Sequence, residues 1–289
     1  MTDVREPLNA ALVAAALTPP WSRVEVVAES ASTNAELASR AATLPAGYVL
    51  ACEHQTAGHG RLGRSWVAPA KAGLTFSALL RPDVPREQWG WIPLLVGVAL
   101  CETVRGTGVA AALKWPNDLL VGLDEFKAAG VLVEVAADGS VVLGVGLNVT
   151  TAAAELPIPQ ATSLLLAGAA VLDRTHLLID LLNSIGHWYE RWLGAGGDAQ
   201  VCGLAAEYER VCASIGREVT VARVGAESDP HQGVVTGVDP AGRLRLRLSN
   251  EIAENRSAGD LALRSLGGGE VLIDAGDVVH VRAVEETGT

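Results

Sequence analysis

Residues 53–66 read EHQTAGHGRLGRSW, and neither a regular helix nor a buried strand can run unbroken through them. Gly58, Gly60 and Gly63 free the backbone to adopt angles that other residues avoid and to approach a ligand closely. Pro69 and Gly73, just beyond, stop a helix from opening there. The chain must therefore form a loop at this point. Arg61 and Arg64 supply fixed, paired donors suited to phosphate oxygens, beside His59 and an indole at Trp66 that can cover a ring. From His54 to Pro82 there is no acidic residue, yet the segment holds Arg61, Arg64, Lys71 and Arg81 in a chain of formal charge −11. A positive island in an acidic protein suits an anion, and a nucleotide phosphate fits best. A solvated loop is the other reading of these residues alone. The match to a phosphate-binding loop, from Gly58 to Arg64-Ser65, is poor because no helix follows.

The 289 residues allow one large or two modest domains with a substantial core, and 49% hydrophobic against 19% charged residues is globular. No apolar run reaches the roughly 20 residues a membrane span needs; Ile92–Cys101 is interrupted by Pro93 and Gly97. The run Leu8–Leu17 follows Asp3, Arg5 and Glu6, which suits a short amphipathic helix and not a signal peptide. Cys52, Cys101, Cys202 and Cys212 are scattered without a C-x-x-C pair, which argues for reduced thiols and a cytoplasmic setting. The spacing of Cys52, His54 and His59 fits no common zinc pattern, so no metal site is expected from protein ligands. Only three of the 22 basic residues are lysines, namely Lys71, Lys114 and Lys127. Where arginine serves for generic charge, a retained lysine points to a place needing a compact ammonium.

Strands are expected at 24–29, 48–53, 73–80, 111–115, 129–135 and 141–149. Helices are expected at 35–43, with Thr33 and Glu36 as a capping box, at 85–105, 173–193 and 204–212. The alternation predicts a mixed sheet covered by helices, an α/β (α+β) fold. After residue 212 the strands become short: 218–223, 233–238, 243–248 and 271–282, with residues 249–269 as a long mobile loop. These suggest one larger domain over 1–212 and a small C-terminal β-barrel over 213–289. Arg243, Arg245 and Arg247 alternate with leucines, a basic face that reads as solvated more readily than as an RNA surface.

Three further segments matter jointly. KWPND (114–118), KAAGVLVE (127–134) and GVGLNV (144–149) each have an ordinary explanation as a turn, a flanking charge and a hydrogen-bonded buried amide. Together with Ser32-Thr33-Asn34 and GHGRLGRSW, in this order, they resemble the biotin–protein ligases from about residue 24 to 150. The β-rich end is similar to that family's SH3-like C-terminal domain. The resemblance implies a class II aminoacyl-tRNA synthetase-like fold and a two-step reaction. Biotin and Mg-ATP would give biotinyl-5′-AMP, and the biotinyl group would pass to a lysine of a biotin carboxyl carrier domain of an acyl-CoA or pyruvate carboxylase.

By that resemblance Ser32, Thr33, Asn34, Gln55, Gly58, His59, Gly60, Arg61, Lys127 and Gly130 would serve biotin. Arg61, Arg64, Trp66, Asn117, Asp118, Lys127 and Asn148 would serve ATP, with Lys127 and Arg61 acting on the reacting groups. His59 stands where the family loop usually carries arginine. Only 31 residues precede Ser32, too few for a winged helix, so no specific DNA binding and no repressor role are expected; a homodimer stays possible. Lipoate–protein ligase, with the same chemistry, and a non-catalytic nucleotide or biotin sensor remain the alternatives.

Overall fold

The computed structural model describes residues 5–223, 226–249, 264–267, 269–274 and 277–280. In chain order the first part runs α1 (Ala10–Ala16), β1 (Arg23–Val27), α2 (Thr33–Arg40), β2 (Tyr48–Cys52), the short pair β3 (Gly58–His59) and β4 (Ser65–Trp66), then β5 (Gly73–Leu80). It continues with α3 (Trp91–Gly106), β6 (Ala111–Lys114), β7 (Asp118–Val121), β8 (Phe126–Val135), β9 (Val141–Asn148), α4 (Arg174–Gly194) and α5 (Leu204–Val211). The second part is β10 (Glu218–Arg223), β11 (Ala226–Val238), β12 (Leu244–Leu248), β13 (Arg264–Gly267), β14 (Glu270–Ile273) and β15 (Asp277–His280).

Seven strands form one mixed sheet in the order β1-β2-β5-β9-β8-β7-β6, with β1 and β2 parallel and the other pairs antiparallel. Side chains alternate between its faces. On β9, Val141, Leu143, Val145 and Leu147 point into the main core with α3 and α4. On the opposite face Val142, Leu79 and Leu50 pack beneath Leu37 of α2. That face is only partly covered, because α2 is two turns long. Beyond it the residues in step with Val142 are Gly144, Gly146 and Asn148, and these are left to form the floor of a cavity. Among the described residues no helix is long and apolar enough to cross a membrane.

Among the described residues the C-terminal strands form a six-stranded antiparallel sheet, β13-β14-β12-β11-β10-β15. Its apolar side, with Val219, Val235, Val238 and Leu246, joins the same buried cluster as the first sheet. The turn before β12 docks on the start of α3: Trp91 Nε1 donates to Pro240 O at 2.8 Å, and a Cβ on Gly90 would lie 2.3 Å from Ala241 O.

The structure departs from the expected elements in several places. The cap of α2 is Ser32, whose Oγ accepts from the Ala35 amide, and Glu36 instead takes the Ser30 hydroxyl; Thr33 is drawn away by partners in the cavity wall. The helix expected from Pro85 begins at Trp91 after a separate turn at Arg86–Gln88, and Gly90 between them packs its bare Cα against Ala241 O. The single strand expected at 271–282 is two, β14 beside β12 and β15 beside β10; residues 281 and 282 lie outside the described residues. Of the loop expected at 249–269, residues 250–263 and 268 also lie outside them, while Arg264–Gly267 is a strand paired with β14. The arginines in and just before β12 face acids: Arg245 and Arg247 meet Glu270 at 2.8 and 3.7 Å, and Arg243 holds Asp239.

Candidate active site

A cavity of about 510 Å³ lies on the sheet face left open by α2. Its floor exists because three residues lack side chains. Gly130 and Gly146 are register partners on β8 and β9, and Gly144 faces Ser77 of β5. The indole of Trp66 lies on Gly146, where a Cβ would come within 2.3 Å of it, and touches the space over Gly130. A Cβ on Gly144 would lie 2.2 Å from Asn34 Oδ1.

One wall is a hydrogen-bonded amide and hydroxyl network. The Thr33 amide donates to Gln55 Oε1 at 2.8 Å and its hydroxyl does so at 3.0 Å. Ser77 Oγ stands 2.7 Å from Thr33 Oγ1 and donates to Asn34 Oδ1 at 2.6 Å. Asn34 Nδ2 donates to Glu134 Oε2 at 2.7 Å. Fixed donors and acceptors of this kind read a polar heterocycle.

The other wall is charged. A register shift between Leu119 and Leu120 on β7 sets Ala128 out of step on β8, and this bulge lets Lys127 and Gly130, three apart, face the cavity together. Lys127 Nζ stands 2.5 Å from Asp118 Oδ1, and Lys114 Nζ 3.0 Å from Asp118 Oδ2. Burial disfavours the Asp118 charge, but the two ammonium groups outweigh it and hold the carboxyl below its ordinary range. Arg61 and Arg64 overhang this wall from a hairpin closed by Gly60 N to Arg64 O at 2.6 Å, with Leu62 at φ 58° at its tip.

Two buried polar atoms stand in the site without a protein partner: Asn148 Oδ1 and Trp66 Nε1. Each would gain a hydrogen bond from a bound ligand, the first by accepting from an amino group and the second by donating. The far rim is a segment whose backbone pairs with Lys127. The Lys127 amide donates to Gln160 O and the Thr162 amide to Lys127 O, both at 2.9 Å, which carries Pro157, Ile158 and Ala161 over the opening.

Residues 24–150 match the biotin/lipoate A/B protein ligase family. A biotin–[acetyl-CoA-carboxylase] ligase of Mycobacterium tuberculosis is 39% identical over 269 residues, covering 91% of this chain and 90% of that protein. The chain belongs to the biotin protein ligase family. Within it, a bifunctional ligase/repressor of Bacillus spizizenii is 29% identical over 81% of this chain and 71% of its own length. Among solved structures, the biotin protein ligase of Aquifex aeolicus in complex with biotin and ATP superposes with a TM-score of 0.68 at 25% identity, covering 90% of this chain and 99% of that one. The chain is thus an α/β protein of the biotin protein ligase fold and an enzyme of that ligase family.

The residues that the family resemblance singled out converge on one cavity. Ser32, Thr33, Asn34, Gln55, His59, Gly60, Arg61, Arg64, Trp66, Asn117, Asp118, Lys127, Gly130 and Asn148 all line it. Gly58 does not. It is buried at the hairpin base, where a Cβ would lie 2.5 Å from both Gln55 Nε2 and Trp66 O, so it seats Gln55 and does not form the wall. Asn117 touches the cavity, but its Nδ2 donates to Val131 O at 2.9 Å and so fixes the turn to β8. Ser77, Gly144, Gly146 and the 157–161 rim were missed. The period-two step from Asn148 to Gly146 and Gly144 within GVGLNV would have found the two glycines; nothing in the local sequence marks the rim.

Proposed function

We propose that this chain activates biotin with ATP and transfers the biotinyl group to a carrier-domain lysine. In the first step a carboxylate oxygen of biotin attacks the α-phosphorus of ATP. The new P–O bond gives biotinyl-5′-AMP, and the broken one releases pyrophosphate. In the second, the ε-amine of the acceptor lysine attacks the acyl carbon; the C–O bond to phosphate breaks, AMP leaves, and the amine loses its proton to solvent.

The observation that carries this reading is the pairing of an uncharged amide wall with a cationic one across a single cavity. Thr33, Asn34 and Gln55 offer the polar contacts a ureido ring needs. Lys127, poised against Asp118, can transfer its charge to phosphate oxygens as negative charge builds on them, and Arg61 and Arg64 can close from above. Asn148 Oδ1 suits the amino group of an adenine. Asp118, with both oxygens already held by lysines, is spent as a neutralising partner; Mg²⁺ would be carried by the nucleotide's phosphates, where it would neutralise charge on the leaving pyrophosphate.

We take residues 1–212 as the catalytic unit and 213–289 as its C-terminal companion. The acceptor would be the biotin carboxyl carrier domain of an acyl-CoA or pyruvate carboxylase, and neither specific DNA nor a membrane is among the partners. The test is pyrophosphate release with biotin or lipoate, followed by labelling of a carrier domain. Biotin-dependent release with labelling supports the reading; release with lipoate alone would replace it by lipoate ligation.

A further inference from the structure

Lys127 and Asp118 sit at opposite ends of one hairpin, β7-β8, whose tip is Gly122–Glu125. Both ends are tied to the residues that open the C-terminal part. Before Asp118, the Ala213 amide donates to Leu113 O at 2.8 Å, and the buried Trp115 donates its backbone N–H to Ser214 Oγ at 3.2 Å. Ser214 is in turn 2.9 Å from His280 Nε2 on β15. His280 Nδ1 faces Arg217 Nη1 at 3.4 Å, and Arg217 forms a two-pronged ion pair with Glu125 at 2.5 Å.

The polarity of this chain is self-consistent. Arg217 can only donate, so Nδ1 accepts and Nε2–H donates to Ser214 Oγ. Burial, with Arg217 and Lys114 nearby, pushes His280 down to about 4, so the ring is neutral and keeps that tautomer. Glu125, two residues before Lys127, has φ 52°, a left-handed conformation that non-glycine residues rarely adopt. Its ion pair holds it there.

We propose that the C-terminal sheet is a working part of the adenylation site: through Ser214, His280, Arg217 and Glu125 it clamps both ends of the β7-β8 hairpin and so sets the reach of Lys127. These are positioning residues, since none of them lines the cavity. The catalytic consequence rests on the ligase reading above; the clamp itself does not. A displacement of about 1 Å at a reacting group can cost roughly 10²-fold in rate, so partial release of one anchor should cost about tenfold.

The test uses the full chain and three variants, Arg217→Glu, Glu125→Arg and the double exchange, with Ser214→Ala as an independent arm. Two readouts are taken: amide hydrogen exchange of residues 118–127, and single-turnover pyrophosphate release with whichever acid the wild type activates. Each single charge reversal should speed exchange in 118–127 but not in β1 and β2, and slow release about tenfold at saturating ATP. The double exchange restores the ion pair but not the donation to His280 Nδ1, so it should recover part of both losses, and Ser214→Ala should slow release as the single reversals do. Unaltered exchange in the single variants refutes the clamp. Faster exchange with an unaltered rate, or a folded double variant that is not rescued, refutes its role in the reaction. A wild type that activates neither acid would refute the ligase reading, while exchange would still decide the clamp.

Discussion

Replacing Lys127 by alanine separates its two duties, one toward Asp118 and one toward substrate. Removing one partner of a fully buried pair costs about 3–5 kcal/mol because a charge is left uncompensated. Here the Lys127 side chain is 32% exposed and Lys114 stays 3.0 Å from the same carboxylate, so the loss should be about 1–2 kcal/mol. The effect on chemistry should be larger. If the ammonium meets charge that exists chiefly in the transition state, its loss should lower the adenylation rate about 10²–10³-fold, or roughly 2.7–4 kcal/mol, by the measure of one deleted oxyanion donor. Biotin binding should fall far less, since the amide wall is untouched. Single-turnover pyrophosphate release gives the rate, calorimetry the biotin affinity, and urea unfolding the stability. A loss of rate matched by an equal loss of biotin affinity would show uniform binding and refute the transition-state role; an unaltered rate would remove Lys127 from the reaction.

The fold was legible where local rules and tertiary packing agree. Gly73–Leu80 and Glu218–Arg223 fall where they were expected, because turns bound each strand and its apolar residues pack into the core. The helix over residues 174–194 likewise carries a clean apolar stripe. Boundaries failed where a distant partner decides. Residue 90 must lack a side chain because Ala241 O fills the space its Cβ would need, and Thr33 yields the cap to Ser32 because Gln55 and Ser77 claim its hydroxyl. The site was legible as five motifs in order, yet its geometry was not. No periodicity announces the bulge that brings Lys127 beside Gly130, and Ser77 reads as an ordinary strand residue until Thr33 and Asn34 fold over it. The scarcity of lysine did mark Lys114 and Lys127, and both meet Asp118.

Gly146→Val should abolish ligand binding by lifting Trp66 off the floor, since a Cβ alone would lie 2.3 Å from the indole; calorimetric biotin binding within threefold of wild type would show that the floor is more pliant than its packing indicates. Arg61 and Arg64 lie on a glycine hairpin costly to order, and both line the cavity, where a bound anion would meet them. A non-hydrolysable biotinyl-AMP analogue should therefore protect both from trypsin, and Arg61→Ala should leak adenylate to water; equal cleavage with and without the analogue would make the loop a static surface. Burial and the neighbouring Arg217 and Lys114 depress His280 from 6.5 to about 4, against a weaker pull from Glu125. Between those values the unfolded chain binds a proton that the folded chain refuses, so unfolding is favoured as pH falls. The His280 contribution is complete above about pH 6.5 and is lost progressively toward pH 4. Urea midpoints of wild type and His280→Gln should therefore converge as pH drops from 7 to 4.5, because glutamine has no proton to take up. A constant gap between the two proteins across that range would mean that His280 titrates normally in the fold and that the neutral ring between Arg217 and Ser214 is wrongly assigned.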